Sequence, residues 1–589
     1  MGRRNAILTG LAAMLVVCGV VRASSAQPLR AAMREPGVAG GRFVIGVTND
    51  PKTLNPLMSN DVSSSEVSDR LFTALTEYDN VAQRIHPSLA RSWQSSPDGR
   101  TWTWHLRRGA RFSDGHPITA EDVLFSFAVA YDSTLHQSIY DLLTPHGQKM
   151  KVTAPDSYTV VTRLSEPYAV LVPAIGALRI LPRHVLEPAW RAGRFASSYG
   201  VSTPPESLVT SGPWKLKQLV PREKTVLTRN PYWFEVDVRG RRLPYLEELV
   251  FAVVPDQNTA ALKFQAGEVD GIDNVKAEDY GTFARNQASG GYTLYDLGPA
   301  LTSNFFWFNL NTVKQPGGRK PVGAPYADPS KYAWFSNRDF RRAVSMAVDR
   351  DAIIRSVFFG EGVKNWSLMT PGYRLFFDPR TTAPDYDPSA AKALLARIGF
   401  RDRDGDGVIE DPKGNPVRFT LKTNAGSTRV QMANFVRDDL ARVGIQCTVA
   451  AVDFNVMLNN MREDFDYDAV LAGLNAAVPP DPGMCGNFYR SSGLSHFWNI
   501  RQARPASPEE ARCDSLFGRL LLPGTLAARR RLSAQLDRIV DQQCWLIWLP
   551  TMKVKVPVRN RFGNVHPTIL PQRLLWNIET VFVKPQGRR

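Results

Sequence analysis

The stretch that decides the fold class is FTLKTNAGSTRVQMANFVRDDLARVGIQCTVAAV, residues 419–452. Its two ends, residues 419–423 and 445–452, are apolar runs typical of strands, and residues 428–442 repeat apolar positions with the period of a helix. Gly444 suits the position just after a helix. A strand, a helix and a strand with short joints form a βαβ unit, which builds mostly parallel sheets with ligands near the carboxyl ends of the strands. The stretch therefore predicts an α/β protein.

Segments outside this stretch extend the prediction. Residues 43–48 have an apolar strand pattern, and residues 101–106 alternate polar and apolar side chains as a half-buried strand does. Thr119 can cap a helix, and residues 338–357 form a long helical pattern behind Asn337. The first half of the chain is richer in strands and turns and the second half in helices. This asymmetry indicates at least two lobes, and sites between lobes commonly bind small ligands.

The composition of the 589 residues is that of an ordinary globular protein, with 43% apolar and 22% charged residues. These values exclude a disordered tail, a collagen-like repeat and a disulfide miniprotein. The 72 Lys and Arg residues outnumber the 56 Asp and Glu residues, which gives a net charge of +16. The basic residues are scattered, and the densest runs, 239–242 and 529–531, are short. We therefore expect a solvated basic surface and no nucleic-acid partner.

Residues 1–26 have the pattern of a signal peptide. Two arginines precede an apolar stretch, residues 6–21, and small residues at 24–26 supply a cleavage site. The apolar stretch is shorter than the ~20 residues of a membrane span, and a retained N-terminal anchor is the alternative. Residues 27–41 have no periodic pattern and are predicted to be a flexible leader. We expect an exported protein in the periplasm or another extracytoplasmic compartment.

Export would permit disulfides among the four cysteines that follow residue 26. Sequence alone leaves their pairing open, and the alternative is that all of them are free. Cys485 stands in a Pro- and Gly-rich loop and Cys513 at the start of a helical pattern, so a Cys485–Cys513 bond is the pairing that we favour.

Local catalytic motifs are absent from the sequence. It contains no Gly-x-Ser-x-Gly, no His-Glu-x-x-His and no phosphate-binding Gly-x-x-x-x-Gly-Lys-Ser/Thr pattern. The histidines are dispersed, with no pair at helical spacing. We therefore predict that the protein is not an enzyme. A secreted hydrolase that assembles its site from distant residues is the alternative.

One motif resembles a metal site and places three carboxylates on alternate residues before a glycine: Asp402, Asp404 and Asp406. An EF-hand loop begins in this way, binds Ca²⁺ and carries a bidentate Glu at position twelve. Position twelve is Lys413 here, so Glu410 or Asp411 would have to supply that ligand. A structural calcium site and an acidic, turn-rich loop are both consistent with the motif; we expect no other cofactor.

Several longer motifs follow one another along residues 42–585. They include LARSW (89–93), GARFSDG (109–115), TAEDV (119–123), SGPW (211–214), RNPYW (229–233) and AGEVD (266–270). In this order they resemble the motifs of the family 5 extracellular solute-binding proteins, the peptide receptors of ABC importers.

The resemblance implies a two-lobed α/β fold of the periplasmic-binding-protein type, class II, with an extra inserted subdomain and hinge crossings. Lobe I would combine residues 42–75, 205–305 and 546–589, the inserted subdomain would be residues 76–204, and lobe II residues 306–545. It also implies a monomeric receptor that closes on a peptide and delivers it to the permease subunits of an ABC importer. The same family includes receptors for nickel chelates, haem and sugars, which are the alternative ligands.

The family pattern also assigns candidate ligand contacts. In its peptide receptors, an aspartate soon after a Gly-Trp pair binds the amino terminus of the ligand. The corresponding residues here are Leu474 and Ala477, which leaves that recognition open and makes Asp481 the candidate replacement. The complete set of candidate ligand-binding residues is Phe308, Asn309, Asn424, Asn475, Asp481, Phe497 and Trp498.

Overall fold

The computed structural model describes residues 35–59, 61–135, 137, 139–315 and 320–585. The predicted signal peptide, residues 1–26, and the beginning of the predicted leader lie outside the described residues. The rest of that leader lies against lobe I. There the backbone amide of Gly40 donates to the carbonyl of Tyr245 at 2.7 Å, and the side chain of Asn564 donates to the carbonyl of Glu35 at 2.7 Å.

Lobe I is built on a large mixed sheet. Its first strand is parallel to the two strands beside it, and the strands beyond these are antiparallel to their neighbours. In spatial order the strands are Tyr292–Pro299, Thr551–Arg559, Gly271–Ile272, Arg42–Val47, Glu248–Val253, Lys224–Arg229 and Trp214–Val220, with Gly362–Val363 paired to the second of them. Its helices are Val62–Leu71, Gln257–Ala266, Tyr280–Arg285 and Gln287–Gly290.

Residues 76–204, the predicted inserted subdomain, contain a sheet of their own. This antiparallel sheet has the order Ala90–Ser95, Thr101–Leu106, Thr159–Arg163 and Lys151–Asp156, beside a hairpin of Thr76–Asp79 and Arg84–Pro87. The helices of the subdomain are Ala120–Ala130, Ile139–Leu143, Leu171–Ala177 and Arg183–Arg191. The first helix begins with the predicted cap: the Asp122 carboxylate accepts the backbone amide of Thr119 at 2.9 Å.

Lobe II contains the predicted βαβ unit, which the structure confirms. The strands Arg418–Asn424 and Gln446–Val452 run parallel and are joined by the helix Ser427–Ala441. The complete sheet, in spatial order, is Gln446–Val452, Arg418–Asn424, Ala469–Asn475, Thr302–Phe308 and Ile547–Leu549. The helices of the lobe also include Pro329–Ser336, Arg338–Ala347, Arg350–Ser356, Pro388–Arg397, Phe454–Asn459, Gly486–Tyr489, Pro508–Leu520 and Leu526–Gln543.

One predicted helix is wrong in its length. Residues 338–357 do not form a continuous helix, because the first helix ends at Ala347 and Val348 is extended. Asp349 then caps a second helix by accepting the backbone amide of Ala352 at 2.8 Å. The capping side chain competes with helix continuation at this point, which apolar periodicity alone does not reveal.

Two strand crossings within the described residues join the sheets of the two lobes and form the hinge; Gly362–Val363, which pairs with Thr551–Arg559, is a further link between the lobes. The chain leaves the lobe I sheet at Pro299 and enters the lobe II sheet at Thr302, and it returns between Leu549 and Thr551. The two crossings are bonded to each other, since the Thr551 hydroxyl donates to the Thr302 carbonyl at 2.7 Å. Lobe II thus begins slightly before the predicted residue 306 and continues slightly beyond the predicted residue 545.

The strand Thr302–Phe308 is an interior strand of its sheet, the fourth of five, and is buried on both faces. Phe305 and Trp307 belong to one core cluster, and Phe306 and Phe308 belong to another. Strands that are covered on both sides have such continuous apolar runs. Among the described residues, no helix has both the length and the apolar character that a membrane crossing needs.

Candidate functional site

A cavity of about 1250 Å³ lies between the two lobes. Lobe I, the inserted subdomain and lobe II each contribute a wall. The charged residues that line it are Asp61, Glu66, Asp69, Asp132, Asp141, Asp273, Arg462 and Arg573. We call this cavity the cleft.

The hinge forms the base of the cleft. Leu301 and Thr302, from the first crossing, line it together with Asn475 at the end of a neighbouring strand. Thr302 and Asn475 are partners in the sheet, and the Thr302 hydroxyl donates to the Asn475 side-chain oxygen at 2.7 Å. Asn475 is thus the one predicted ligand residue that the structure places in the cleft lining. Its amide nitrogen is the group that it can still offer to a ligand.

The lobe I wall is one face of the helix Val62–Leu71. Asp61 caps this helix by accepting the backbone amide of Ser64 at 3.0 Å. Val62, Glu66 and Asp69 follow at helical spacing, so they share the face that lines the cleft. The sequence pattern of this face is that of an ordinary solvated helix, which is why sequence reasoning did not single it out.

The three acids of lobe I deepest in this wall differ in their partners. Asp69 accepts from the Arg179 guanidinium at 2.6 Å, and Asp273 accepts from that of Arg573 at 2.6 Å. No described residue donates a hydrogen bond to the Glu66 carboxyl. Burial, and secondarily the nearby charge of Asp273, raise the pKa of Glu66 to about 8.

The lobe II wall comes from residues 454–464. Phe454, Leu458 and Arg462 recur at four-residue spacing, and all three line the cleft. The helix Phe454–Asn459 runs directly into a π-helical turn, Asn460–Asp464, a backbone form that often occurs at functional sites. The Nε of Arg462 is buried, and it has no hydrogen-bond partner among the described residues.

The inserted subdomain contacts lobe II at the side of the cleft. The side-chain nitrogen of Asn487 donates to the Asp141 carboxylate at 3.0 Å, and both residues line the cleft. Farther along this interface, the Ala169 amide donates to the Leu521 carbonyl at 2.8 Å. A second cavity, of about 510 Å³, lies between the same two parts of the molecule. The cleft is therefore closed on one side by direct contact.

The charge of the cleft lining is opposite in sign to that of the whole chain. The charged lining residues named above are six carboxylic acids and two arginines, whereas the chain carries a net charge of +16. Concave sites with low-dielectric walls focus such a field and concentrate groups of the opposite charge. The geometry therefore favours a ligand that carries at least one cationic group.

Three predicted aromatic contacts lie in the core instead of the cleft, which corrects that expectation. Phe308 stacks on Phe335, with ring centroids 4.4 Å apart. Phe497 stacks on Trp307 with centroids 4.8 Å apart. Trp498 is buried and its indole nitrogen donates to Glu510 at 3.0 Å. In sequence, aromatic residues that line a ligand site look the same as aromatic residues that fill a core.

The polar candidates Asn309 and Asp481 are also occupied by internal partners. Asn309 is fully buried, and its side-chain nitrogen donates to the carbonyls of Phe465 and Tyr467, each at 2.9 Å. Asp481 forms a bidentate pair with Arg529, with N–O distances of 2.5 and 2.6 Å. This pair uses both carboxylate oxygens, so Asp481 is not positioned to replace the aspartate that is missing at Ala477.

Asn424 lies at the end of its strand, as expected, but it is not part of the cleft lining. Its side-chain oxygen accepts from the Arg429 guanidinium at 2.9 Å. The pair stabilises the turn that leads into the helix Ser427–Ala441. This local structural role accounts for an asparagine at position 424.

The acidic loop brings its carboxylates together. One oxygen or more from each of four residues lies within 4.8 Å of the others: Asp402, Asp404, Asp406 and Glu410. Of the two substitutes considered for position twelve, Glu410 joins the cluster, whereas Asp411 accepts from the Trp334 indole at 2.8 Å. Oxygen ligands in this number suit Ca²⁺. The calcium site stays a prediction.

The favoured disulfide is not present. Cys485 and Cys513 are buried free thiols, as are Cys447 and Cys544, the other cysteines of the described chain. Burial raises the pKa of the Cys485 and Cys513 thiols to about 12. Both side chains pack in the core as small apolar groups, and this packing stabilises the fold without a disulfide.

Comparison with known proteins identifies the class. Residues 84–496 match the profile of the bacterial extracellular solute-binding proteins, family 5 Middle. The match covers well over half of the chain, so the chain belongs to this family. Its members bind solutes and are not enzymes, which confirms the prediction of a non-catalytic protein. The two-lobed fold, with several sheets and mixed α/β content, is that of the family's solved structures.

Individual members of the family show which proteins this chain is similar to. A probable ABC transporter-binding protein of Deinococcus radiodurans is 29% identical over 519 residues, 85% of each chain. The oligopeptide-binding protein AppA of Bacillus subtilis is 25% identical over 97% of each chain. The AppA structure with a nonapeptide has a TM-score of 0.73 and covers 93% of this chain and all of its own. MelB of Agrobacterium fabrum C58, with stachyose, has a TM-score of 0.76 at 22% identity, over 94% of this chain and 86% of its own.

Proposed function

We propose that this protein is the exported substrate-binding component of an ABC importer, that it captures oligopeptides in the cleft by hinge closure, and that it releases them unchanged to the permease. The observation that carries the proposal is the cleft of about 1250 Å³ between two lobes joined at their sheets by two strand crossings. This volume exceeds the ~300–1,000 Å³ of ordinary small-molecule pockets.

The cleft suits an extended and variable ligand. A peptide backbone offers donors and acceptors at regular intervals, and the cleft has polar groups on every wall, including Asn475, Gln137 and Ser495. A wide site leaves room for water, which adapts to different side chains without a large loss of affinity. AppA, which resembles this chain over nearly its whole length, is an oligopeptide-binding protein. These features support peptides as the ligand class.

An oligosaccharide is the second candidate ligand. MelB has the higher TM-score of the two structures above, and that structure contains stachyose. Ala477 also stands where peptide receptors of the family have an aspartate for the ligand's amino terminus, and Asp481 is engaged by Arg529. The charged lining weighs against a neutral sugar, because Asp61, Asp132 and Asp141 have no cationic partner among the described residues and a neutral ligand would desolvate them without supplying one.

Native mass spectrometry of the gently purified, exported chain tests the proposal. We expect a monomer that retains, or takes up from a mixed peptide pool, masses that correspond to intact peptides. If the protein retains a mass that corresponds to a sugar and binds no peptide from the pool, the oligosaccharide is favoured as the ligand. Cleaved peptides in the supernatant would contradict a receptor function and favour a hydrolase.

A further inference from the structure

Two ionisable side chains line the cleft from opposite lobes and lack hydrogen-bond partners among the described residues: the Glu66 carboxyl and the Nε of Arg462. On lobe I, Asp69 and Asp273 have arginine partners at 2.6 Å, whereas no described residue donates to Glu66. On lobe II, the Nε of Arg462 is buried without a partner among the described residues, and no acidic side chain of these residues pairs with it. Both residues line the same cavity.

An unpaired charge in a partly buried wall is unfavourable for the free protein, because it loses water and gains no partner. Glu66 avoids this cost in the free protein by retaining its proton, since its pKa is raised to about 8, and it becomes an anion when a cation lies beside it. Two such groups of opposite sign on two lobes that close together are most simply explained by a ligand that supplies both partners. The Phe454 and Leu458 side chains, on the same helical face as Arg462, would cover the apolar part of that ligand. Arg462 can present a planar fork to a carboxylate.

On the basis of the proposed peptide-binding function, we infer that the cleft recognises its ligand by opposite charges, with Glu66 binding a cationic group and Arg462 a carboxylate. A peptide with free termini carries both groups. This arrangement transfers amino-group recognition from lobe II, where Ala477 and the engaged Asp481 cannot supply it, to lobe I. The ligand then bridges the lobes, so its binding energy differs between the open and closed forms and drives closure.

The protonation of Glu66 provides an independent readout. Burial and Asp273 raise its pKa to about 8, so most of the carboxyl is protonated at neutral pH. The other charged groups that act on it are Asp69, Arg70 and Arg573. A ligand cation beside the carboxyl favours its ionised form. Binding at neutral pH should therefore release protons in wild type, and the Glu66→Gln variant should lose that release.

The test uses a pool of synthetic peptides of mixed length whose side chains are uncharged. The pool is offered free, N-acetylated, or C-amidated to the exported chain, and occupancy is titrated by native mass spectrometry. Glu66→Gln and Arg462→Met are compared with wild type. The matched controls are Glu463→Gln and Arg501→Met, an exposed pair 3.6 Å apart beside Arg462 that does not line the cleft.

We expect acetylation to weaken binding to wild type by at least about tenfold, as the loss of one charge-assisted hydrogen bond does. Glu66→Gln should cause a similar loss with the free pool and no further loss with the acetylated pool. Amidation should weaken binding to wild type, and Arg462→Met should cause a similar loss with the free pool and no further loss with the amidated pool. The control variants should bind every pool as wild type does. Such non-additivity identifies direct partners.

Equal binding of free and capped pools by wild type would overturn the inference and leave the peptide receptor intact. The inference would also be overturned if capping the peptide and substituting the protein each weakened binding by its own factor and the two factors multiplied. In that case the peptide terminus and the substituted side chain would not be partners of each other. If wild type binds none of the pools, both the proposed peptide function and this inference fail. Proton release, measured by calorimetry in buffers of different ionisation enthalpy, must disappear in Glu66→Gln and persist in Glu463→Gln.

Discussion

Replacing Asp537 with asparagine should stabilise the protein at alkaline pH. Asp537 lies in the helix Leu526–Gln543 with 3% exposure. Its two oxygens accept from the Tyr489 hydroxyl at 2.8 Å and the Ser367 hydroxyl at 2.9 Å, and no cation of the described chain pairs with it. Asparagine has the same shape and can keep both contacts, so the substitution removes the charge and little else.

The magnitude follows from the pKa. Burial raises the pKa of Asp537 from 3.8 to about 6. The folded state therefore binds the proton more tightly than the unfolded chain does, and stability falls as the pH rises from below 3.8 to above 6. The difference of about 2 pKa units corresponds to roughly 3 kcal/mol in total, of which about 2 kcal/mol is lost between pH 4.5 and pH 8.

Urea unfolding at a series of pH values measures this effect. The free energy of unfolding of Asp537→Asn minus that of wild type should increase by about 2 kcal/mol from pH 4.5 to pH 8. Taking the difference cancels the titrating groups that do not interact with Asp537. The charge of Asp537 helps to raise the pKa of Asp541, so that pKa falls in the variant and adds to the increase in the same direction. Asp438→Asn, whose side chain is 58% exposed on a helix of the same lobe, is the control and should show a flat difference. A flat difference for Asp537→Asn as well would refute the argument from burial.

Three further outcomes follow from the structure. Alkylation under denaturing, non-reducing conditions should modify Cys485 and Cys513 completely, since both are free thiols; incomplete reaction that reductant restores would reveal a disulfide. Calorimetry should detect Ca²⁺ binding by wild type and not by Asp404→Ala, and the absence of heat in wild type would end the calcium hypothesis. Asn309→Ala should lower the free energy of unfolding by about 1–3 kcal/mol, because two buried carbonyls lose their donor, and should leave peptide affinity unchanged. A specific loss of affinity in a fully stable variant would restore Asn309 as a ligand contact.

The sequence predicted those elements whose signals are local. The βαβ unit of residues 418–452 and the caps at Thr119 and Asn337 depend on side chains within a few positions of the elements that they define. The division of residues 338–357 was missed because a capping carboxylate interrupts an apolar period that continues on both sides. Rules based on neighbouring residues predict what each segment favours. They do not decide between two conflicting signals, such as a continuous apolar period and a capping side chain within it.

The cleft was harder to predict, because its walls come from segments far apart in the chain. Glu66 and Arg462 have ordinary helical surroundings, and only the two crossings at the hinge bring them to the same cavity. Phe308 and Phe497 were chosen by their place in the family pattern. Phe308, however, stands on an interior strand covered on both faces, and Phe497 stacks on Trp307 of that strand, so both side chains fill the core. Burial is a property of the assembled lobes, so it separates the two roles where composition does not.

The position of the hinge explains how such a cleft can close without disturbing either lobe. Each crossing is a short joint between a strand of one sheet and a strand of the other, 299–302 and 549–551, and strand pairing continues on both sides of it. Rotation at the joints therefore changes few backbone angles and leaves the ladders of both large sheets intact, and the contacts of the inserted subdomain with lobe II, such as Ala169 with Leu521, would shift with it. The bond between Thr551 and Thr302 couples the two joints, so they turn together. Because rotation at the joints leaves both large sheets intact, we expect the two charge contacts inferred at Glu66 and Arg462 to favour the closed form.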